Sequence, residues 1–269
     1  MARETAPKGK PFPWRTWLKG IMAIAVFVST TIVARAIQRA VLADPRFVVN
    51  GEFADSQDSP NFSIHGLQYA SRRRVVKLFA PDFGRNLFDV PVAERRRKLL
   101  AIDWIEDASV SRIWPNRLAV RVWERKPVAF VNLETGGGRS RTARLALIDA
   151  HGVVLEQPQK FDASFPVLNG VNESQTESER RDRVRHMLRL MKELGPQLAE
   201  EVSEIDVTTV DSLRITLEAD GQVVELMIGN GNFRRRLEDF LTHYPEIHKK
   251  SPELKLFDLR LDDRITGKG

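Results

Sequence analysis

No cysteine occurs in the chain. That excludes a disulfide-stapled scaffold and any chemistry that needs a thiolate, and it leaves either redox compartment open. Catalytic signatures are missing as well: the 269 residues hold no HExxH, no GxSxG and no phosphate-binding loop. Histidine is scarce, with His65, His151, His186, His243 and His248 the full set. His243 and His248 lie five apart across Pro245, which is not a metal-ligand spacing on a helix. Asp149 and His151 flank a predicted turn tip, a place that rarely gives an acid and a base a shared pocket. Asp262 and Asp263 are neighbouring carboxylates without further ligands, a poor cation site. Gly229-Asn230-Gly231 lacks the strand-to-helix fingerprint of a phosphate loop and reads as a cap into a helix at Phe233. No catalytic, cofactor-binding or metal-binding residue is assigned, and the chain is expected not to be an enzyme.

Long apolar runs are absent but for one. Residues 18–34 read LKGIMAIAVFVSTTIVA, with no charge between Lys19 and Arg35. Fifteen uncharged residues are short for a bilayer, which takes about 20. Lys19 and Arg35 extend the span by laying their stems along the helix and snorkelling their charges outward. Trp14 and Trp17 stand where an interfacial aromatic belt would stand. The reading is a membrane helix over residues 18–37. Ala34-Arg35-Ala36 also matches a signal-cleavage pattern, and a buried core helix has the same composition. Continuation of the helical pattern through Ile37, Val41 and Leu42 argues against cleavage, and a lone helix at this end has no partner to bury it. Arg3, Lys8, Lys10, Arg15 and Lys19 precede the span, against Arg35, Arg39 and Arg46 after it, which favours a cytoplasmic N-terminus.

The net charge of +6 invites a nucleic-acid partner. Its distribution removes that reading. Residues 1–34 carry five bases and one acid, and the other 235 residues carry 37 bases against 35 acids. Of the basic clusters at 72–74, 95–98, 139–144, 180–185 and 234–236, three lie on predicted helices interleaved with apolar residues and read as solvated helix faces, with attraction to anionic lipid head groups or an acidic partner as the sharper alternative. No nucleic acid is expected.

The chain length allows one to three domains. After a polar linker at 38–61, Phe62, Ile64 and Gly66 alternate as a short strand. Ser71 can cap a helix to about Ala80 with Val75, Val76 and Phe79 inward, and Pro91 opens a second helix carrying Val92, Leu99 and Leu100. Residues 108–113 and 118–122 form a hairpin about Trp114-Pro115-Asn116. The order is β-α-α-β-β. Further on come a strand at 128–133, a hairpin turned at 149–152, and a helix capped by Thr176 and Glu179 that stops at Gly195-Pro196. Strands at 203–207 and 213–217 lead to a hairpin through Asp220-Gly221 that ends with Val224, Leu226 and Ile228. A last helix carries Phe233, Leu237, Phe240, Leu241 and Tyr244 and ends before Pro245, and residues 255–261 form the final strand.

The β-α-α-β-β order, the Ile64-His65-Gly66 turn and Pro115, Leu118, Val120, Val122, Glu124, Pro127 and Ala129 in WPNRLAVRVWERKPVAFV resemble the POTRA domain of the bacterial division proteins FtsQ and DivIB. The turn beginning at Asp149 and the element Pro166-Val167-Leu168-Asn169-Gly170 are similar to that family's second domain. The resemblance runs from the membrane helix to about Asp263. It implies an α+β protein: a tail at 1–17, a helix at 18–37, a linker at 38–61, a POTRA domain at 62–127, an FtsQ-type mixed β-sheet domain with flanking helices at 128–263, and a tail at 264–269.

The resemblance also implies a role without chemistry. FtsQ proteins bind the small division protein FtsB, which pairs with FtsL, through the C-terminal strand and the residues after it. Physically, an open sheet edge can accept a partner strand. The expected partner-binding residues are therefore Leu256, Asp258, Arg260, Leu261, Asp262 and Asp263, with Phe257, Leu259 and Leu261 on one face of the strand. Asp258-Leu259-Arg260-Leu261-Asp262 matches the family's Asp-Leu-Arg-aromatic-Asp pattern except that Leu261 replaces the aromatic residue, and a longer tail with a second aromatic contact is expected to be absent. The expected place is the bacterial inner membrane at the septum, with the domains periplasmic and other division proteins as further partners. The alternative is a POTRA-bearing subunit for protein translocation or outer-membrane assembly.

Overall fold

The computed structural model describes residues 14–50, 59–135, 142–209, 211–261 and 263–268. Residues 1–13, 51–58, 136–141, 210, 262 and 269 lie outside them, and with them much of the basic cluster at 139–144. The chain divides into two compact units. One comprises Met1–His65, Arg72–Arg96 and Ser109–Arg121, the other Gly66–Ser71, Arg97–Ala108 and Val122–Gly269.

Helix α1 spans Trp14–Ala43. Within it Leu18–Ala40 is a 23-residue apolar stretch with mean hydropathy 2.0, none of it buried against protein. That length covers the roughly 30 Å hydrocarbon core at 1.5 Å per residue. Charge alone does not end the span: Arg35 and Arg39 fall inside it, as snorkelling allows. The polar stretch after the helix is partly built into the first unit. Asp44 caps a single 3₁₀ turn at Pro45–Phe47. Val49 is fully buried, donates to the Arg85 carbonyl at 2.9 Å and accepts from Gly84 N–H at 3.0 Å.

Strand β1 (Phe62–His65), helices α2 (Arg72–Phe79) and α3 (Val92–Leu100), and strands β2 (Ile105–Ile113) and β3 (Arg117–Glu124) follow in the expected β-α-α-β-β order. The sheet order is β1-β3-β2. β1 runs parallel to β3, pairing Phe62 with Leu118 and Ile64 with Val120. Period-two burial on both strands and helical spacing of Val75, Val76 and Phe79 put these side chains in one core. The Phe62 and Phe79 rings meet at a tilt, with centroids 5.1 Å apart. One member of the basic clusters is not on a solvated face: Arg95 is buried and forks onto buried Asp82 at 2.6 and 2.9 Å.

The Ile-His-Gly turn has a physical reason. Gly66 has φ +90°, and a Cβ there would collide with the Val122 carbonyl oxygen. The glutamate of the β3 motif has one too. The Glu124 carboxylate accepts from the backbone N–H groups of Gln68, Tyr69 and Ala70 at 2.8–3.0 Å, satisfying donors that would otherwise have no partner ahead of α2.

The second unit is built on a nine-stranded sheet. Its strands are β4 (Pro127–Thr135), β5 (Thr142–Asp149), β6 (Val154–Leu155), β7 (Val167–Asn169), β8 (Val202–Asp206), β9 (Leu213–Ala219), β10 (Gln222–Gly229), β11 (Leu256–Asp258) and β12 (Thr266–Lys268). Their order is β12-β11-β10-β9-β8-β7-β4-β5-β6. Helices α4 (Glu177–Glu200) and α5 (Phe233–Lys250) join this sheet in a single core, with Val184, Met187, Leu190 and Leu194 from one and Phe233, Leu237, Phe240 and Tyr244 from the other. The Thr176–Glu179 capping box is formed on both sides. α4 kinks at Gly195 (φ 76°) and resumes for one turn, with Pro196 placed where its missing N–H is harmless.

Two expectations about this unit are corrected. The last helix does not end before Pro245; α5 runs on to Lys250. Proline forfeits one backbone bond in a helix interior, at about 3 kcal/mol. Ile247 packing on the core beyond it, and the Ser251 N–H donated to the Ile247 carbonyl, offset that loss. Nor does the 255–261 stretch form one long edge strand. Only Leu256–Asp258 is strand, and it is not the edge: β11 lies parallel to β10 and antiparallel to β12, with Leu256, Phe257 and Asp258 opposite Lys268, Gly267 and Thr266. The chain after Asp263 turns back and covers the strand that alternation marks as open.

Candidate partner-binding surface

One face of α5, from Arg235 to Lys250, and the returning residues 259–261 and 263–265 enclose a groove of about 490 Å³. Helical spacing builds one wall. Arg235, Asp239, His243, Ile247 and Lys250 fall three or four residues apart, on one face of α5. The other wall is Leu259, Leu261, Asp263, Arg264 and Ile265. Leu259 is buried at the base, and Leu261 is 53% exposed at the mouth.

The segment is held by backbone and by two arginines. Leu259 N–H donates to the Met227 carbonyl at 2.9 Å, extending the β10 ladder by one bond. Arg236 reaches from α5 and donates to the carbonyls of Ile228 and Arg260, both at 2.9 Å, tying sheet, helix and segment together. Arg260 forks onto Asp258 at 2.9 and 2.6 Å. That hydrogen-bonded guanidinium holds the Asp258 carboxyl below the usual carboxylate range, against the opposing pull of its partial burial. The Arg260 guanidinium is raised in turn by the same bond. At the other end of α5, the Glu193 carboxylate of α4 accepts the Phe233 N–H at 2.8 Å and caps the helix.

The six expected contact residues do not share one location. Leu261 and Asp263 line the groove. Asp258 and Arg260 are paired with each other beside it, and Leu256 is half-buried within β11. Asp262 lies outside the described residues. Phe257 and Leu259 are core, at 1% and 3% exposure, so of the three side chains assigned to one strand face only Leu261 is available to a partner. Glu246, Ile247 and Lys250 are groove residues that stopping the helix at Pro245 conceals. The outer flank of the sheet is β12, whose three residues are all exposed.

Chemically the groove suits an amphipathic segment: an apolar lining from Ile247, Leu259 and Ile265 with Leu261 at the mouth, and charges of both signs, with Arg235 3.6 Å from Asp239 and Arg264 3.5 Å from Asp263. Elsewhere, the Asp149 carboxylate is consumed structurally. It accepts from His151 N–H at 2.9 Å, Val153 N–H at 2.8 Å and Arg125 at 2.9 Å, while the His151 ring points toward Glu106 at 3.8 Å, largely in solvent. Among the described residues no three His, Asp or Glu side chains gather as a metal site.

Comparison with known proteins agrees with this architecture. Residues 60–125 match the family model "POTRA domain, FtsQ-type", and residues 139–260 match "Cell division protein FtsQ/DivIB, C-terminal". Cell division protein FtsQ of Koribacter versatilis is 36% identical over 217 residues, which cover 78% of this chain and 59% of that protein. The FtsQ of Geotalea daltonii is 23% identical over 210 residues, covering 76% and 73%. That of Myxococcus fulvus is 27% identical over 210 residues, covering 76% and 66%. The chain thus spans less than two thirds of the Koribacter relative it matches.

Proposed function

The chain belongs to the FtsQ/DivIB family of cell-division proteins, and from that premise we propose that it is a non-enzymatic scaffold binding FtsB, paired with FtsL, at the C-terminal end of its second domain. Its POTRA domain (62–127) and β domain (128–263) stand in the periplasm of a dividing bacterium, joined to a cytoplasmic tail by the single membrane helix. Recruitment of FtsB and FtsL to the septum then helps control septal peptidoglycan synthesis.

The groove between α5 and residues 259–261 and 263–265, beside the exposed β12, carries this reading. A partner helix can seat an apolar side chain against Leu261 while the extended chain beside it pairs with β12. Both modes are satisfied by one amphipathic segment, which is what a small division protein can offer. Leu261 is the natural anchor, being apolar, accessible and backed by the buried Leu259.

Leu261→Glu puts a charge at the groove mouth and should weaken binding of a purified FtsB/FtsL pair at least about tenfold, or ~1.4 kcal/mol, with the thermal midpoint unchanged. Arg260→Glu, which reverses the fork to Asp258, should weaken it as well. A folded Leu261→Glu protein that binds as well as the unmodified chain in titration calorimetry would place the partner elsewhere.

A further inference from the structure

Three aromatic rings meet at the point where the first unit joins the membrane helix. Phe47, Phe88 and Trp114 contact one another edge to face, with centroids 5.6, 5.0 and 5.7 Å apart. Phe47 explains part of this: it pins the emerging chain to the unit, with Val49 buried just beyond. It does not explain the outer side. Trp114 remains 65% exposed and its neighbour Ile113 42% exposed, on the turn between β2 and β3. A large aromatic and the β-branched residue that ends β2 thus leave, side by side, apolar surface that the contacts with Phe47 and Phe88 do not cover.

Covalent geometry fixes what lies next to it. Phe47 lies seven positions after Ala40, the last of the apolar span, with residues 41–46 between them. Through Ala43 they are helical. At about 1.5 Å per helical residue and at most ~3.5 Å per residue beyond, Phe47 cannot be more than about 20 Å from the end of the span. Trp114 is in ring contact with it. The head-group layer on each side of a bilayer is about 6 Å deep. The tether therefore keeps the turn close enough to the bilayer to reach the head-group layer. Charge there also has a sign. Arg46, Arg85, Arg112 and Arg117 flank the cluster in sequence or through the Val49–Arg85 hydrogen bond, against Asp44 and Asp89. Asp44 is already spent on Arg46 at 2.7 Å.

We propose that Trp114 and Ile113 insert into the interface of the bilayer leaflet from which α1 emerges, with Arg85, Arg112 and Arg117 drawn to anionic lipid head groups. Tryptophan is the side chain best suited to that layer, apolar in its body and a hydrogen-bond donor at its edge. Each arginine near an anionic surface adds attraction that salt screens. Insertion gives the first unit a second attachment besides the tether, so that it sits against the membrane instead of swinging from it. This rests on α1 spanning the membrane and is independent of which protein the groove binds.

The absence of cysteine makes the test direct. The full chain carrying Ile113→Cys with a nitroxide label is reconstituted in phosphatidylethanolamine/phosphatidylglycerol vesicles, and collision with a water-soluble nickel chelate is compared with collision with oxygen. A label at Asn172→Cys, on an exposed loop of the second unit, is the reference. The expected result is several-fold lower nickel access at 113 than at 172, with raised oxygen access. In pure phosphatidylcholine vesicles, or with Arg85→Glu and Arg117→Glu added, the protection at 113 should fall. Equal nickel access at 113 and 172 overturns insertion, whatever any substitution does to folding. Protection that is identical in neutral and anionic vesicles overturns the role given to the arginines.

Discussion

Asp258 makes two bonds to the Arg260 side chain and also accepts the Arg260 N–H at 3.1 Å, so a three-residue turn is closed by one carboxylate. That turn leads the chain out of β11 and into the groove wall. Because the bond from Arg260 lowers the Asp258 pKa in the fold, its contribution is fully present above the unfolded value of about 3.9 and is lost as pH falls through the lower folded value. Asp258→Asn should therefore reduce stability at pH 7 by at most about 1 kcal/mol, since Arg260 is partly solvated, and flatten the pH dependence below about pH 4. Urea unfolding of the two proteins at pH 7 and at pH 3 checks this: the difference between them should shrink in acid, and a difference that grew would reverse the assignment. Residue identities of this kind are legible in sequence as a motif but not as a mechanism. Glu124 stands out in the β3 pattern, yet nothing in sequence says that it gathers the N–H groups of residues 68–70, more than fifty positions away. Gly66 likewise reads as a turn, and only the approach of the Val122 carbonyl explains why no side chain fits.

At the scale of elements, local signals succeeded where the competing terms are local. The capping box of α4 and the Asp220-Gly221 turn, both residues with positive φ, follow from side-chain and backbone chemistry within four residues. They failed where a tertiary term outweighs a propensity. Proline at 245 argues for a stop, and the burial of Tyr244 and Ile247 along the same face overrides it. This has a measurable consequence. If α5 is continuous through Pro245, replacing it by alanine restores the missing bond and should stabilise the protein by about 1–3 kcal/mol, seen as a higher urea midpoint at unchanged slope. A helix that ended at Tyr244 would gain nothing from the change. Strand β12 was illegible for a different reason. Thr266-Gly267-Lys268 has no alternation, no β-branched run and no buried side chain. Its pairing comes from the opposite strand, where the backbone of Leu256–Asp258 has a free side to offer.

At the scale of the whole molecule, the order of elements carried the most information, because β-α-α-β-β followed by a mixed sheet is long enough to be specific while each strand alone is not. The membrane helix was equally legible, being a composition signal that no tertiary contact has to complete. The candidate site was half legible. Its position near residue 261 follows from the C-terminal pattern, but the groove needs the last turn and a half of α5 and the returning segment, and both depend on contacts distant in sequence. Function at this scale also depends on which side of the membrane the groove faces. Five basic residues on the N-terminal side of the uncharged run 20–34 and three on its C-terminal side bias the N-terminus inward, a weak asymmetry that positive charges between the helix and the first folded unit oppose. The large folded units after the helix do not resist translocation, so the bias predicts a cytoplasmic N-terminus. Alkaline phosphatase, active only outside the cytoplasm, should be active when fused after residue 268 and inactive when fused before residue 1 in growing cells. The reverse pattern would put the groove in the cytoplasm, out of reach of any periplasmic partner. Adding three arginines between Ala43 and Phe62 while replacing Lys8, Lys10 and Arg15 by glutamine should move part of the population to that reversed state, because it inverts the only asymmetry that sets the orientation.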